Sequence, residues 1–203
     1  MLAMNRYCLT HSLQRGFTLI ELLVTITIGA LLMMVAIPSL DRFKRNAELT
    51  SASNSFIAGL NAARSEAMKK GTNAMVVPTA NGASWNAGWI VFSLDAANTS
   101  QAYAAGDNIV LQQDPLPSYL TVAGSAGSSA AEAAPYVMFD ASGYSKLKAG
   151  GFGALTLNIS RNDLTGAELY EQTRRVKISS VGRVRVCRPK SATDADCSAS
   201  AND

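Results

Sequence analysis

One apolar run, from Phe17 to Leu40, constrains this 203-residue chain more than any other feature, and Glu21 is the only charged residue in it. About 20 helical residues cross the hydrocarbon core of a bilayer, so the run is long enough to span one. It is too long for the h-region of an ordinary secretory signal. No small-x-small cleavage site closes it. A carboxylate within an apolar helix is costly and calls for a role. The plainer account is an acid near the interface that reaches the headgroups, which the place of Glu21 near one end allows.

After Leu40 the pattern becomes amphipathic. Phe43, Leu49, Phe56, Ile57, Leu60, Ala63, Ala67 and Met68 recur near helical spacing. Arg42, Lys44, Arg45, Glu48, Arg64, Glu66, Lys69 and Lys70 mostly lie off that stripe, and Gly71 is a natural stop. The spacing predicts one long helix from Phe17 to about Lys70, interrupted near Pro38, which removes a backbone donor. Short β-type runs follow at 74–77, 89–92, 108–111, 119–122, 136–139, 154–159, 175–178 and 183–186, separated by Gly, Ser, Asn and Asp clusters. The expected fold class is therefore α+β: a long N-terminal helix, transmembrane in its first half, packed against antiparallel sheets in a C-terminal head. Trp85, Trp89, Phe92 and Phe139 read as core aromatics. The small-residue stretches 98–106 and 124–134 read as mobile loops, and the tail after Cys197 as frayed.

The sequence Gly16-Phe17-Thr18-Leu19-Ile20-Glu21 followed by an apolar helix closely resembles the class III signal of type IV pilins and type II secretion pseudopilins. The resemblance implies that residues 1–16 are a leader, cut between Gly16 and Phe17 by a prepilin peptidase on the cytoplasmic side. It implies N-methylation of Phe17, retention of 17–40 as a transmembrane and filament-core helix, and a helix kink at Pro38. It also gives Glu21 an assembly role, pairing with the N-terminal amine of a neighbouring subunit. Opposite charges in a low-dielectric bundle attract strongly, and each tolerates burial only when paired. Residues 41–71 would form the amphipathic half of the helix and 72–203 a β-rich head with a basic C-terminal hairpin. Flanking charge leaves orientation open, since Arg6 and Arg15 lie on one side and Arg42, Lys44 and Arg45 on the other.

Cleavage at Gly16 would remove Cys8 and the single histidine, His11, leaving Cys187 and Cys197. A close pair in a non-cytosolic domain reads most simply as a disulfide. Two free thiols or half of a metal site are the alternatives, and no second Cys/His pair completes a zinc site. A chain without histidine is unsuited to Ser-His or Cys-His chemistry. With no P-loop or GxSxG motif either, neither an enzyme nor a cofactor or metal is expected.

Further motifs extend the resemblance to the GspH/FimT group of minor pilins and minor pseudopilins. They are Ala63-Arg64-Ser65-Glu66-Ala67, Trp85 with Gly88-Trp89-Ile90-Val91-Phe92, Phe139-Asp140-Ala141-Ser142-Gly143, and Gly182-Arg183-Val184-Arg185-Val186-Cys187. Charge is uneven: Arg174, Arg175, Lys177, Arg183, Arg185, Arg188 and Lys190 fall in one acid-free segment, whereas 17–173 carries nine basic and twelve acidic residues. Alternation within 175–178 and 183–186 puts Val176, Ile178, Val184 and Val186 toward the core. Arg175, Lys177, Arg183 and Arg185 then share a solvent face that Arg188 and Lys190 extend. Such a ribbon suits phosphates. Gly182-Arg183-Val184-Arg185 resembles the Gly-Arg-x-Arg motif of DNA-binding pilins, which implies salt-sensitive binding of double-stranded DNA for natural transformation. No aromatic residue interleaves the strip, so base stacking is not indicated. Basic strand faces also discourage edge aggregation without any ligand.

The resemblance implies a minor type IV pilin in pilus assembly or tip function, with a GspH-like minor pseudopilin of type II secretion as the alternative. Its partners would be major and minor pilins, the prepilin peptidase and the inner-membrane assembly platform. It would begin as a single-pass inner-membrane protein with a periplasmic head and end in an extracellular pilus.

Overall fold

The computed structural model describes residues 16–79, 83–95, 100–104 and 106–200. The leader proposed for 1–16 therefore falls, except for Gly16, outside the described residues. The chain divides into two compact units, one ending at Lys44 and the other beginning at Arg45. Helix α1 (Leu19–Lys70) contains that boundary.

In the first unit α1 is long and apolar enough to cross a membrane. Leu31, Leu32, Met34 and Val35 are all exposed. A continuous apolar surface of this extent needs lipid or neighbouring subunits to cover it. Its hydroxyls are satisfied within the helix, Thr25 Oγ1 donating to the Leu22 carbonyl and Thr27 Oγ1 to that of Leu23, each at 2.8 Å. The helix continues without a break through Pro38, where an interruption was expected. Proline withdraws one donor, and the turns on either side keep theirs. Phe43, expected on the buried stripe, is exposed.

In the second unit Leu49, Phe56, Leu60, Ala63 and Ala67 of α1 enter the main core at essentially zero exposure. They recur every three to seven residues, which keeps them on one side of the helix. Met68, at the edge of that stripe, is half-exposed. The strands are β1 (Ala74–Pro78), β2 (Trp89–Ser93), β3 (Asn108–Gln113), β4 (Leu120–Gly124), β5 (Val137–Phe139), β6 (Ser145–Lys146), β7 (Leu155–Arg161), β8 (Thr173–Ile178) and β9 (Val184–Cys187). All eight expected strands are present. The added β6 is too short to leave a pattern, and a short helix, α2 (Gly166–Glu171), was also not anticipated.

The strands form two antiparallel sheets, ordered β3-β2-β1-β5-β6 and β4-β7-β8-β9. Val76, Val91, Val137 and Phe139 of the first sheet and Val122, Leu157, Ile159 and Val176 of the second meet α1 in one cluster. Phe56 packs edge-on to Trp85 at 5.4 Å and tilted against Trp89 at 4.6 Å between ring centres. On its other face the first sheet buries Met75, Ile90, Phe92 and Met138 in a second cluster with Tyr136 and Leu94. This explains why β2 is buried along its whole length.

Segment 124–134 is not the open loop expected of its small residues. Ser125, Ser128, Ser129 and Ala130 are buried. Trp85 Nε1 donates to the Ala130 carbonyl at 3.0 Å, and the Ser125 amide donates to the Thr156 carbonyl at 2.7 Å. A Cβ at Gly124 would overlap the Ala130 carbonyl, so the small residues permit close backbone packing. Of the stretch 98–106, residues 98, 99 and 105 lie outside the described residues. Tyr103 within it packs edge-on to Phe92 at 5.3 Å.

Candidate functional site

The basic hairpin is formed by β8 and β9, with Arg175 opposite Cys187, Val176 opposite Val186, Lys177 opposite Arg185 and Ile178 opposite Val184. Alternate residues point to opposite faces. Val176 and Ile178 are buried in the core as expected. Val184 is half-buried and Val186 exposed, because β9 is the edge strand and has no neighbour beyond it.

The opposite face differs from expectation. Arg175 is only 6 % exposed and Lys177 only 2 %, so neither lies on an open ribbon. The chain beyond β9 folds back onto Arg175. A disulfide joins Cys187 to Cys197, with Cα atoms 5.8 Å apart, and Cys197 is itself buried. Arg175 Nη1 donates to the Cys197 carbonyl, and its Nε donates to Asn158 Oδ1 at 2.9 Å. Further on, Thr156 Oγ1 donates to the Ser200 carbonyl at 2.9 Å, so the described part of the tail is pinned. Burial lowers the pKa of the Arg175 guanidinium, opposed by the nearby Asp194 and Tyr170. The disulfide segment therefore splits the anticipated basic strip.

A recess of about 380 Å³ is lined by Ser179, Arg183, Arg185 and the nearly enclosed Lys177. Among the described residues, three cations and no acid line it. Arg183 is exposed and Arg185 half-exposed. Arg188 and Lys190 are exposed but do not line this recess. Burial and then the Arg188 charge lower the Arg174 guanidinium. Arg174 Nη2 reaches Asn46 Oδ1 of α1 at 3.1 Å, which associates Arg188 with the other face. Lys190 sits in the disulfide loop, where its amide donates to Asp194 Oδ2 at 2.8 Å. That bond, first among several from the backbone, holds the Asp194 carboxyl below the usual carboxylate range.

The tip of the hairpin is set by contacts between distant motifs. Gly182 adopts φ +76°, a region that disfavours side chains. Its amide donates to the Ser179 carbonyl at 2.9 Å, and the Ser179 amide donates to the Arg183 carbonyl at 3.0 Å. A Cβ at Gly182 would overlap the Gly143 carbonyl oxygen. That oxygen accepts a 2.9 Å bond from Arg64 Nε, and Arg64 Nη2 reaches the Val181 carbonyl at 3.4 Å. The Ser145 amide donates to the Ser180 carbonyl at 3.0 Å. Three sequence motifs, around Arg64, Gly143 and Gly182, thus meet at one point. Arg64 carries no signal of this in the sequence beyond its place in a motif, because its partners are carbonyls far along the chain.

At the N-terminus Gly16 and Phe17 precede α1 and are exposed. Glu21 stands in the first helical turn, and its amide donates to Thr18 Oγ1 at 3.3 Å. Thr18 thus supplies an acceptor to an otherwise unpaired helix-start N–H, and the carboxylate complements the positive end of the helix. Among the described residues no group of three or more His, Cys, Asp or Glu is placed to hold a metal ion.

Residues 52–182 match the family model described as "Type II transport protein GspH", and residues 11–37 match the prokaryotic N-terminal methylation motif. Among curated proteins, none matches the chain in sequence. Among solved structures, the type IV minor pilin FimU of Pseudomonas aeruginosa superposes with a TM-score of 0.53 at 22 % identity, covering 73 % of this chain and 98 % of that one. The minor pseudopilin EpsH from the type 2 secretion system of Vibrio cholerae matches at TM-score 0.48 and 18 % identity, over 70 % and 97 % of the two chains. At this identity the likeness to FimU is one of fold, a long helix with antiparallel sheets. The GspH model covers more than half of the chain and the methylation motif covers its apolar start, so the chain belongs to the GspH family, with the fold of a minor pilin.

Proposed function

We propose that this chain is a minor type IV pilin, made as a single-pass inner-membrane precursor with a periplasmic head and incorporated into a pilus through its N-terminal helix. The observation that carries this reading is the exposed apolar surface of α1, whose stretch to Leu40 contains only one charge, Glu21. A helix of this kind satisfies its own backbone in lipid and can exchange lipid for neighbouring helices on assembly. The prepilin peptidase would cut between Gly16 and Phe17, and Phe17 would be N-methylated. Glu21 would pair with the N-terminal amine of an adjacent pilin, setting register between subunits. The test is Glu21→Ala, with membrane fractionation and immunoblotting of sheared filaments. The variant is expected in the membrane fraction but not in filaments; normal incorporation overturns the role of Glu21.

The recess lined by Lys177, Arg183 and Arg185 favours a second role for the same subunit, binding of DNA through its phosphates. Binding would weaken as salt rises, because neutralised phosphates release counterions. Arg183→Gln/Arg185→Gln in the full detergent-solubilised chain should lower duplex affinity and flatten its salt dependence. Unchanged affinity overturns the assignment of the recess. The family description favours one alternative, a minor pseudopilin of type II secretion. A deletion strain separates the two: loss of surface pili supports the pilus reading, and loss of exoprotein secretion with normal pili supports the pseudopilin.

A further inference from the structure

We infer that Tyr144 and Phe152 form a stacking platform for unpaired nucleobases beside the cationic recess, so that this end of the head holds single-stranded nucleic acid. The inference rests on the DNA-binding reading above and adds the form of nucleic acid that the surface accepts. Along the sequence the basic strip contains no aromatic residue, and stacking was not expected. Tertiary structure supplies one.

Tyr144 and Phe152 are 40 % and 58 % exposed. Their ring centres lie 5.2 Å apart with planes inclined by 50°. Phe152 is held across from Lys146 by an isolated antiparallel bridge, and Lys146 Nζ stands 5.7 Å from the Phe152 ring centre. The pair is joined to the basic hairpin at its tip. The Ser145 amide donates to the Ser180 carbonyl, and Gly143 abuts Gly182. Tyr144 is therefore one residue from each of these contacts, and Arg183 is the residue after Gly182. Val181, half-exposed, lies between them in the turn.

The chemistry favours a polyanion with flat apolar groups over an apolar protein segment. Among the described residues, the recess is lined by Lys177, Arg183 and Arg185 and by no acid. The acid next to the platform, Asp140, is occupied: its Oδ1 accepts from the Ser142 and Tyr144 amides at 2.9 and 3.0 Å, and its Oδ2 lies 3.7 Å from Lys146 Nζ. Exposed rings beside a cationic track are how proteins hold single strands, since every base offers a π-face and every phosphate a charge. A paired base in a duplex keeps its faces stacked on its neighbours and cannot use the rings.

The test compares a short mixed-sequence single-stranded oligodeoxynucleotide with the blunt duplex of the same sequence. Both are titrated by fluorescence anisotropy against the full chain in neutral detergent. Tyr144→Ala/Phe152→Ala is expected to weaken single-strand binding by about tenfold or more while leaving duplex binding within about twofold. Retained duplex binding also reports that the head is folded. Tyr144→Phe/Phe152→Tyr keeps the rings and should bind the single strand normally. Arg183→Gln/Arg185→Gln should weaken both ligands. Unchanged single-strand affinity in the alanine variant, or equal loss for strand and duplex, overturns the platform while leaving the phosphate recess standing. Failure of the unsubstituted protein to bind either ligand at low salt overturns the DNA-binding reading and the platform together.

Discussion

Gly182 and Gly143 lie backbone to backbone, with no room between them for a side chain on Gly182. The contact brings the turn of the basic hairpin onto the turn before β6, and Arg64 bonds to both. The glycine of the Gly-Arg-x-Arg segment therefore has a structural duty independent of any ligand. Gly182→Ala adds a left-handed-backbone penalty of about 1–2 kcal/mol to a steric overlap with the Gly143 carbonyl. We expect a fall in unfolding free energy of about 2–4 kcal/mol in urea titration. A stability within experimental error of the parent would show that the turn relaxes freely.

The disulfide ties down the segment that covers Arg175. Cys187→Ser/Cys197→Ser should cost about 2–3 kcal/mol by freeing a short loop in the unfolded chain. It should also raise amide hydrogen exchange in β9 and in 188–197, since the Arg175 bond to the Cys197 carbonyl is then no longer enforced. Global destabilisation with unchanged local exchange in that segment would contradict this account of the cover.

Phe56 is fully buried between Trp85 and Trp89. Phe56→Ala should destabilise the head by about 3–5 kcal/mol, combining lost transfer energy with a cavity. Phe56→Leu should cost distinctly less. Thermal unfolding of both variants, followed by tryptophan fluorescence, checks the order.

Asp163 accepts from Arg161 Nε and Nη2 at 2.9 and 2.6 Å and pairs with Arg45 Nη1 at 2.7 Å. The Arg161 hydrogen bonds, more than any other cause, hold its carboxyl below the ordinary value of 3.8. A carboxyl whose folded pKa is depressed stabilises the fold above its unfolded pKa, and this contribution is lost as pH falls through the folded pKa. The stability difference between the parent and Asp163→Asn should thus be full at neutral pH, shrink below about pH 4 and vanish in stronger acid. A difference independent of pH would assign the effect to shape rather than charge. The site is partly open to solvent, so added salt should also reduce the difference.

Much of this protein was legible in its sequence because the signals are local. The apolar run to Leu40 announces a membrane-length helix by length alone. The spacing of Leu49, Phe56, Leu60, Ala63 and Ala67 names the buried face of α1, and alternation with turn residues locates eight strands. Cys187 and Cys197 could be paired by compartment and proximity. Period-two alternation likewise put Arg175 and Lys177 on the face opposite Val176 and Ile178. Alternation says which side of a sheet a residue takes, not what lies over that side. Only the folded chain decided that the segment from Arg188 to Ser200 returns to β8, closing Arg175 away, while Lys177, Arg183 and Arg185 line the recess. Only the fold brought Arg64, Gly143 and Gly182 together and set Tyr144 and Phe152 beside the hairpin. Those contacts join residues dozens of positions apart through backbone carbonyls and amides, groups that every residue carries and that leave no mark on composition or period.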